Sequence, residues 1–271
     1  MWKGSRMKAL RMRILLVCLI GQVLAVSGCY NCASSLARCA AKYKGKESMV
    51  RDFGPDSSLT VHNEAGSITV SAEDTTDCRI EAKVYVLAPT KGEARDIGEG
   101  VRIRAEPKEG TLLVTVDKPP LSGDRHVWVD FDIVIPAQEC ADRETGSEVV
   151  AGPGARGSLD LRTDAGRITC REITSSRITA RSDFGPIDIS CSEACPGDVT
   201  ADVEASFGRI WFKAPPDYQG AIDLETDFGS VKSRTAVVDQ VEKSRDSLKG
   251  TTGGGRGNLR LHTSFGSVRV R

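Results

Sequence analysis

The chain has 271 residues, in which 37 Lys and Arg balance 37 Asp and Glu, so its formal net charge at pH 7 is zero. A nucleic-acid-binding protein needs a basic surplus on one face, so this balance argues against that class. Aromatic residues make up 5% of the chain, which argues against a broad sugar-stacking platform, and phosphate-loop and HExxH motifs are absent. We therefore expect no nucleic-acid partner, no metal and no cofactor.

Residues 1–28 are typical of an export signal. Basic residues precede the apolar run Ile14–Val26, which is shorter than the roughly 20 residues of a membrane span and fits the apolar core of a signal peptide. The run ends at Val26-Ser27-Gly28-Cys29, which resembles the lipobox of bacterial lipoproteins. The resemblance implies cleavage before Cys29 and attachment of lipid, palmitate included, to this residue.

A lipid on Cys29 would place the protein in the cell envelope, with the membrane as a partner. Tyr30 follows the cysteine, and by analogy with Gram-negative sorting this favours the outer membrane, facing either the periplasm or the cell surface. Residues 29–52 are polar and include Lys42, Lys44 and Lys46, so we predict that they form a lipid-anchored tether.

Residues 53–136 are predicted to form a β-rich cap and the first strands of the fold. Apolar and polar residues alternate in this region, as expected for strands with one buried face. The predicted strands are Cys78–Leu87, Val101–Ala105, Leu112–Val116 and His126–Pro136. The second and third flank a turn and predict a hairpin, and one or two helical turns are expected within Thr90–Gly98.

A twelve-residue phrase then dominates the sequence. It occurs six times, at residues 59–70, 159–170, 178–189, 201–212, 222–233 and 259–270. Each copy alternates apolar and polar residues on both sides of a central glycine, which predicts two short strands. The apolar parity changes at the glycine, so we expect a bend there that uses the positive φ open to glycine. The six glycines are Gly66, Gly166, Gly185, Gly208, Gly229 and Gly266.

A single pair of short strands cannot bury its own apolar face, so we predict that the repeated pairs stack and share one core. We therefore expect an all-β, single-domain β-solenoid or β-helix over residues 53–271, in which 158–271 form successive rungs. The excess within 239–257 contains a glycine-rich run and is predicted to be a surface excursion. Four copies place phenylalanine before the glycine, and we expect these rings to stack. In this order Asp227 would lie two rungs beyond Asp183, and the terminal arginines would protect the last strand edge.

The cysteines fit an exported protein in an oxidising compartment. Cys191 with Cys195, and Cys32 with Cys39, are close enough in sequence to be candidate disulfides. An odd number of cysteines remains beyond the signal and the lipid site, so at least one stays free or pairs between chains. Cys170 occupies an inward position and is expected to act as a small buried hydrophobe.

The order of these features resembles the bacterial putative-adhesin domain of unknown function, an envelope β-solenoid similar in style to the toast-rack domains of envelope-stress proteins. The resemblance rests on LTVHNEAGSITV, VDFDIVIP, DLRTDAGRI, ARSDFGPI, LETDFGSV and GTTGGGRGNLRLHTSFGSVRV, and covers about residues 53–271. It implies a display or interaction module and brings no catalytic residues with it.

One outward column carries carboxylates two residues before the glycine: Glu64, Asp164, Asp183 and Asp227, with serine in the other two copies. Stacked carboxylates could bind Ca²⁺ or hydrolyse glycans, but serine in the same column favours capping of the glycine turn. Trp128, Trp211, Tyr85 and Tyr218 remain as aromatic groups that could act locally.

Two functional classes are therefore left. The first is a non-enzymatic, lipid-anchored envelope module that binds a protein or glycan along the outer face of the rungs, in an adhesive or envelope-stress role. The alternative is a β-helix carbohydrate-binding protein or carbohydrate-active enzyme acting on envelope glycans. Self-assembly through rung edges would add a homo-oligomer to the first class.

Overall fold

The computed structural model describes residues 41–54, 56–137, 157–235 and 239–271. Over these residues 17 strands join one hydrogen-bonded sheet and a single helix packs beside them, which confirms the all-β class. The predicted signal peptide, Cys29, Cys32 and Cys39 lie outside the described residues.

The elements before the second copy of the phrase are β1 (Ala41–Asp52), β2 (Ser58–Ala65), β3 (Ile68–Glu73), β4 (Asp77–Ala88), α1 (Lys91–Gly100), β5 (Arg102–Lys108), β6 (Thr111–Asp117) and β7 (His126–Pro136). From the second copy onwards they are β8 (Ser158–Ala165), β9 (Ile168–Ile173), β10 (Arg177–Phe184), β11 (Ile187–Cys191), β12 (Thr200–Phe207), β13 (Ile210–Lys213), β14 (Gly220–Ser233), β15 (Asp239–Lys243), β16 (Ser247–Thr252) and β17 (Gly257–Val270).

Each of the first four copies forms two strands that meet at the glycine, whereas the fifth and sixth each form one long strand, β14 and β17. Equivalent strands of adjacent copies pair in parallel, with equivalent residues opposite each other. The alternating apolar residues face inward: Leu59, Leu159, Ile178 and Leu259 are each at most 1% exposed. Period-two alternation thus builds one shared core between the strands before and after the glycines.

The order of the copies in space differs from their order in the chain. The sixth copy, β17, pairs with β12 and β13 on one side and with β14 on the other. The spatial order is therefore first, second, third, fourth, sixth, fifth. The expectation that copies stack in chain order is wrong for the last two, and the terminal Arg269 and Arg271 do not lie at the end of the stack.

The segment 239–257 explains this exchange, and its prediction as a surface excursion is wrong. It supplies β15 and β16, and β16 pairs antiparallel with β14 on the side away from β17. The chain then returns past the start of β14. A Cβ on Gly255 would lie 2.3 Å from the Gln219 carbonyl oxygen, so the glycine-rich run provides a tight crossing between two chain segments rather than a free loop.

The prediction of a tether over residues 29–52 is wrong for its second half, because Ala41–Asp52 form β1. This strand pairs antiparallel with β4 along its whole length. Lysines on an exposed edge strand discourage pairing with other chains, and Lys42, Lys44 and Lys46 are in this strand. The same lysine-rich composition therefore suits a protected edge as well as a flexible tether, and the folded part begins before residue 53.

The strands and the helical turns predicted for the amino-terminal region are confirmed. β5 and β6 form the predicted hairpin, β7 has the predicted bounds, and β7 pairs with β3 and β4. The helical turns extend to α1, where the Thr90 hydroxyl accepts a hydrogen bond from the Glu93 amide at 3.2 Å, as an N-cap residue does. This region continues the sheet beyond the first copy.

Candidate functional site

The six glycines stack in one column, and each of the five after Gly66 is packed against the glycine before it in space. A Cβ built on Gly166 would lie 2.0 Å from the carbonyl oxygen of Gly66, and one on Gly208 would lie 2.1 Å from that of Gly185. Gly66, Gly185 and Gly266 have positive φ angles of 115°, 155° and 158°, whereas Gly166, Gly208 and Gly229 do not. Close approach of neighbouring copies, more than backbone conformation, therefore requires glycine here.

A ladder of buried hydroxyls holds this column together. Three residues before the glycine, Thr163, Ser182 and Thr263 donate hydrogen bonds of 3.2, 3.1 and 2.8 Å to the carbonyl oxygen of the preceding glycine in space. Thr226 does the same to Gly266 at 3.1 Å. In the fourth copy the position holds Ala205 and lacks the donor. Sequence reasoning missed this ladder, although five of the six copies carry a short polar residue there.

Phenylalanine side chains stack on the outside, one residue before the glycines, as predicted. The ring centroids of Phe184 and Phe207 are 5.1 Å apart, those of Phe207 and Phe265 4.8 Å, and those of Phe265 and Phe228 4.9 Å. The rings are 44–61% exposed. We call these four residues the phenylalanine ladder. Its order again places the sixth copy between the fourth and the fifth.

A concave surface lies on the other side of the glycine column, across the outer faces of β9, β11 and β13. Its volume is about 980 Å³. We call it the groove, and its charged and aromatic lining consists of Arg167, Arg171, Asp188, Arg209, Trp211, Lys213 and Arg271. Five cations against one carboxylate give the side chains of the lining a formal charge of +4, on a chain whose Lys, Arg, Asp and Glu side chains sum to zero.

Ion pairing and ring stacking order the middle of the groove. Asp188 lies between Arg167 and Arg209, with N···O distances of 3.0 and 3.4 Å. The Arg271 guanidinium lies 5.0 Å from the centroid of the Trp211 ring, which is a cation–π distance. Trp211 itself is 38% exposed. Arg271 reaches this ring only because β17 pairs directly with β13.

The carboxylate column two residues before the glycines does not come together as a site. Two of its members have separate local contacts: Glu64 pairs with Lys118 at 3.2 Å, and an Asp227 carboxylate oxygen lies 3.5 Å from Nε2 of His262. The exchange of copies places Asp227 three positions from Asp183 in the stack, not two. Over the described ranges, no group of three or more His, Cys, Asp or Glu side chains is placed to hold a metal ion.

The remaining aromatic candidates have structural contacts. Tyr85 and Trp128 stack with centroids 5.5 Å apart on paired strands β4 and β7. Tyr218 is buried and donates a hydrogen bond of 2.7 Å to the Ala221 carbonyl, and burial raises the pKa of its phenol. Trp211 is therefore the member of the predicted set that faces a cavity.

The predicted disulfide between Cys191 and Cys195 is wrong. Both residues are buried without a bond between them, and the Cys195 thiol donates to the Ser175 carbonyl at 3.7 Å. Cys170 is buried as expected, and burial raises the pKa of its thiol to about 12. Within the residues that the structure describes, the helix is too short and too polar to cross a bilayer.

The fold is similar to that of a solved bacterial protein, and two further solved proteins align with lower scores. A putative cell adhesion protein from Clostridium sporogenes ATCC 15579 matches with a TM-score of 0.55 and 12% identity, over 83% of this chain and 99% of that one. A putative adhesin from Bacteroides fragilis NCTC 9343 matches with a TM-score of 0.29 and 9% identity, over 86% and 99% of the two chains. One from Parabacteroides merdae ATCC 43184 gives 0.24 and 9%, over 86% and 97%.

No protein-family profile matches the sequence, and no curated protein matches it either. The likeness to the Clostridium protein therefore shows a shared all-β fold with a protein named for cell adhesion. At 12% identity it extends to the fold alone.

Proposed function

We propose that this chain is a lipid-anchored, non-enzymatic protein of the bacterial cell envelope, and that it acts by binding a partner through the outer face of a β-solenoid. The groove is the observation that carries the proposal. Binding sites are concave and combine an apolar surface with a few placed polar groups, and the groove has this composition in Trp211 and its surrounding cations. The lipobox at Cys29 supplies the anchor.

The lining supports binding over hydrolysis of a glycan. Glycoside hydrolysis generally needs two carboxyl groups, one acting as an acid and the other as a base or nucleophile. The described lining of the groove contributes Asp188 as its single carboxylate, and that group is paired with Arg167 and Arg209. A single carboxyl group, engaged by two arginine side chains, does not supply the pair of carboxyl groups that hydrolysis needs.

The anchor is tested by fractionation of cells that produce the full chain or its Cys29→Ser variant. The proposal predicts that the wild-type chain sediments with membranes and that the variant is released by osmotic shock or secreted. A Cys29→Ser chain that remains fully membrane-bound would contradict the anchor.

Binding is tested separately, with detergent-extracted full-length protein added to isolated envelopes of the same organism. We expect saturable binding that is lost after thermal unfolding, because it depends on the folded outer face. Binding that never saturates, or that survives unfolding, would show that the chain has no specific partner there and would end the proposal.

A further inference from the structure

The proposed function leaves the ligand of the groove unnamed, and the lining identifies its chemistry. Arg171 and Lys213 are exposed and have no ion pair within the part of the chain that the structure describes. Arg167 and Arg209 share the single carboxylate of Asp188. The groove thus holds more positive charge than the protein neutralises, which favours an anionic ligand.

The cations lie on both sides of the middle strand of the groove. Arg167 and Arg209 precede β9 and β13, which pair with β11 from opposite sides. Neighbouring strands are about 4.8 Å apart, so the backbones of these two residues are separated by roughly 9.6 Å, while both guanidinium groups converge on Oδ2 of Asp188. Arg171 and Lys213 lie four residues further along the same two strands, where the register between β9 and β11 shifts. The two pairs of cations form two rows across the groove, which suit a linear polymer that carries several negative charges.

The floor of the groove argues against an extended acidic peptide. A peptide that binds along a sheet gains affinity from main-chain hydrogen bonds to a free strand edge. β11 is already paired on both sides, with β9 and β13, and β13 is paired with β11 and β17. The groove therefore offers a ligand the side chains of these strands and no free main-chain groups. This suits a ligand that has no backbone amides of its own to pair.

Trp211 adds an apolar plane to this charged surface. Trp211 is opposite Asp188 and Arg269 on the adjacent strands, and the Arg271 guanidinium lies at a cation–π distance from its ring. A sugar ring presents C–H groups that pack against such a plane, whereas a chain of inorganic phosphate does not. Nucleic acids would need a series of aromatic platforms for successive bases, and the lining has one.

We propose that the groove binds an acidic polysaccharide, with sugar rings against Trp211 and with its anionic groups paired to the two rows of cations. This inference rests on the proposed function, since it names the ligand of the same face. The anionic group of the polysaccharide is a carboxylate, a sulfate or a phosphate ester, and probes that carry different groups distinguish these.

The experiment measures binding of the full-length protein, in detergent micelles, to immobilised polygalacturonate, dextran sulfate and neutral dextran. We expect binding to one or both acidic polymers that weakens as salt is raised, and none to dextran. Arg171→Glu with Lys213→Glu should reduce affinity by about tenfold, a change of about 1.4 kcal/mol that two exposed ion pairs together can supply.

Trp211→Ala separates a polysaccharide from any other polyanion. We expect it to weaken binding of the acidic sugar polymer severalfold, because the sugar ring loses its apolar contact, and to leave binding of inorganic polyphosphate unchanged. Equal losses for both ligands would overturn the proposal. The matched control is Arg181→Glu with Arg162→Glu, which changes the net charge equally on the other side of the glycine column and should bind as the wild type does.

The outcomes also separate this inference from the proposed function. If the protein binds envelopes saturably but the groove variants bind them as well as the wild type does, the inference is overturned and the function stands. If Phe207→Ser loses binding while the groove variants keep it, the binding surface is the phenylalanine ladder, and the inference is overturned in that case too. If nothing binds in either experiment, both proposals fall. Unchanged melting temperatures for the variants exclude misfolding as the cause.

Discussion

The Thr263 hydroxyl donates a hydrogen bond of 2.8 Å to the carbonyl oxygen of Gly208, although the two residues are 55 positions apart in the chain. The bond joins the sixth copy of the phrase to the fourth. The fifth copy, which lies between them in sequence, pairs on the far side of β17. This contact thus shows both how adjacent copies are held together and how the last strand enters the middle of the stack.

The glycine column predicts a large effect of a single methyl group. In Gly208→Ala the new Cβ would lie 2.1 Å from the Gly185 carbonyl oxygen, and neither backbone can move away without breaking strand pairs. We expect a loss of at least about 1–3 kcal/mol in the free energy of unfolding, measured by urea denaturation.

Gly92→Ala is the matched control for that substitution. Gly92 lies in α1, where a Cβ would meet nothing within 4 Å, and alanine is the better helix former by up to about 1 kcal/mol. We expect unchanged or higher stability. A Gly208→Ala protein as stable as Gly92→Ala would show that the copies are not packed as closely as described.

The hydroxyl ladder has a gap at Ala205, which predicts a stabilising substitution. Ala205 is buried at the position equivalent to Ser182, whose hydroxyl donates to the Gly166 carbonyl at 3.1 Å. Ala205→Ser should place a donor against the Gly185 carbonyl and raise the free energy of unfolding by about 0.5–1.5 kcal/mol.

The reverse change should destabilise the protein. Thr263→Val keeps the shape of the side chain but removes the donor, and leaving a buried carbonyl without its partner costs about 1–3 kcal/mol. Chemical denaturation of both variants beside the wild type checks the pair. Equal stabilities of all three proteins would mean that the ladder contributes nothing to holding the copies together.

Removal of β17 should destabilise the fold more than removal of a strand at the end of the stack would. Leu259, Leu261, Val268 and Val270 of this strand are at most 1% exposed, and its loss leaves β12, β13 and β14 with unpaired edges. We expect a chain ending at residue 256 to lose its cooperative unfolding transition or to aggregate. Cooperative unfolding with a denaturant slope reduced only in proportion to length would contradict the interior placement of β17.

Burial of Cys170 and Cys78 predicts a dependence of stability on alkaline pH. Burial raises the pKa of both thiols from an ordinary 9.0 to about 12. The folded state therefore keeps these protons at a pH at which the unfolded chain releases them, so the free energy of unfolding should fall as pH rises from about 9 towards 12.

The control for this pH effect is Cys170→Ala, which should show a shallower decline in stability. A thiol reagent at pH 8 should leave both residues of the folded wild type unmodified and react after unfolding. Rapid modification of the native protein would show that these side chains are accessible.

The local pattern of this fold could be predicted well from the sequence, because period two and the glycine phrase each have one simple structural consequence. The phenylalanine column could be predicted because stacked copies align equivalent positions, and the strand at His126–Pro136 could be predicted because apolar residues alternate along it. The glycine requirement was assigned to backbone φ, since sequence does not show how closely another copy approaches Gly166 or Gly208.

The order of the copies could not be predicted, because all six phrases have compatible inward columns and any neighbour would bury them. The order of the copies follows from the pairing of β16 with β14. This pairing occupies one edge of β14, and β17 pairs with its other edge and with β13. The groove depends on the same event, since Arg271 meets Trp211 only across the β13–β17 pair. Sequence reasoning singled out Trp211 but could not supply its cationic neighbours.

The spatial order of the copies is tested most directly by two engineered cysteine pairs in the full-length protein. Glu204 and His262 are opposite each other on β12 and β17, and adjacent strands place their Cα atoms within the range of about 4.4–6.8 Å that a disulfide needs. Glu225 is opposite His262 on the other side of β17, so roughly 9.6 Å separates it from Glu204. Under mild oxidation, Glu204→Cys with His262→Cys should form a disulfide detected by peptide mass, and Glu204→Cys with Glu225→Cys should not. Bonding of the second pair and not the first would place the copies in chain order and would contradict the assembly of the groove.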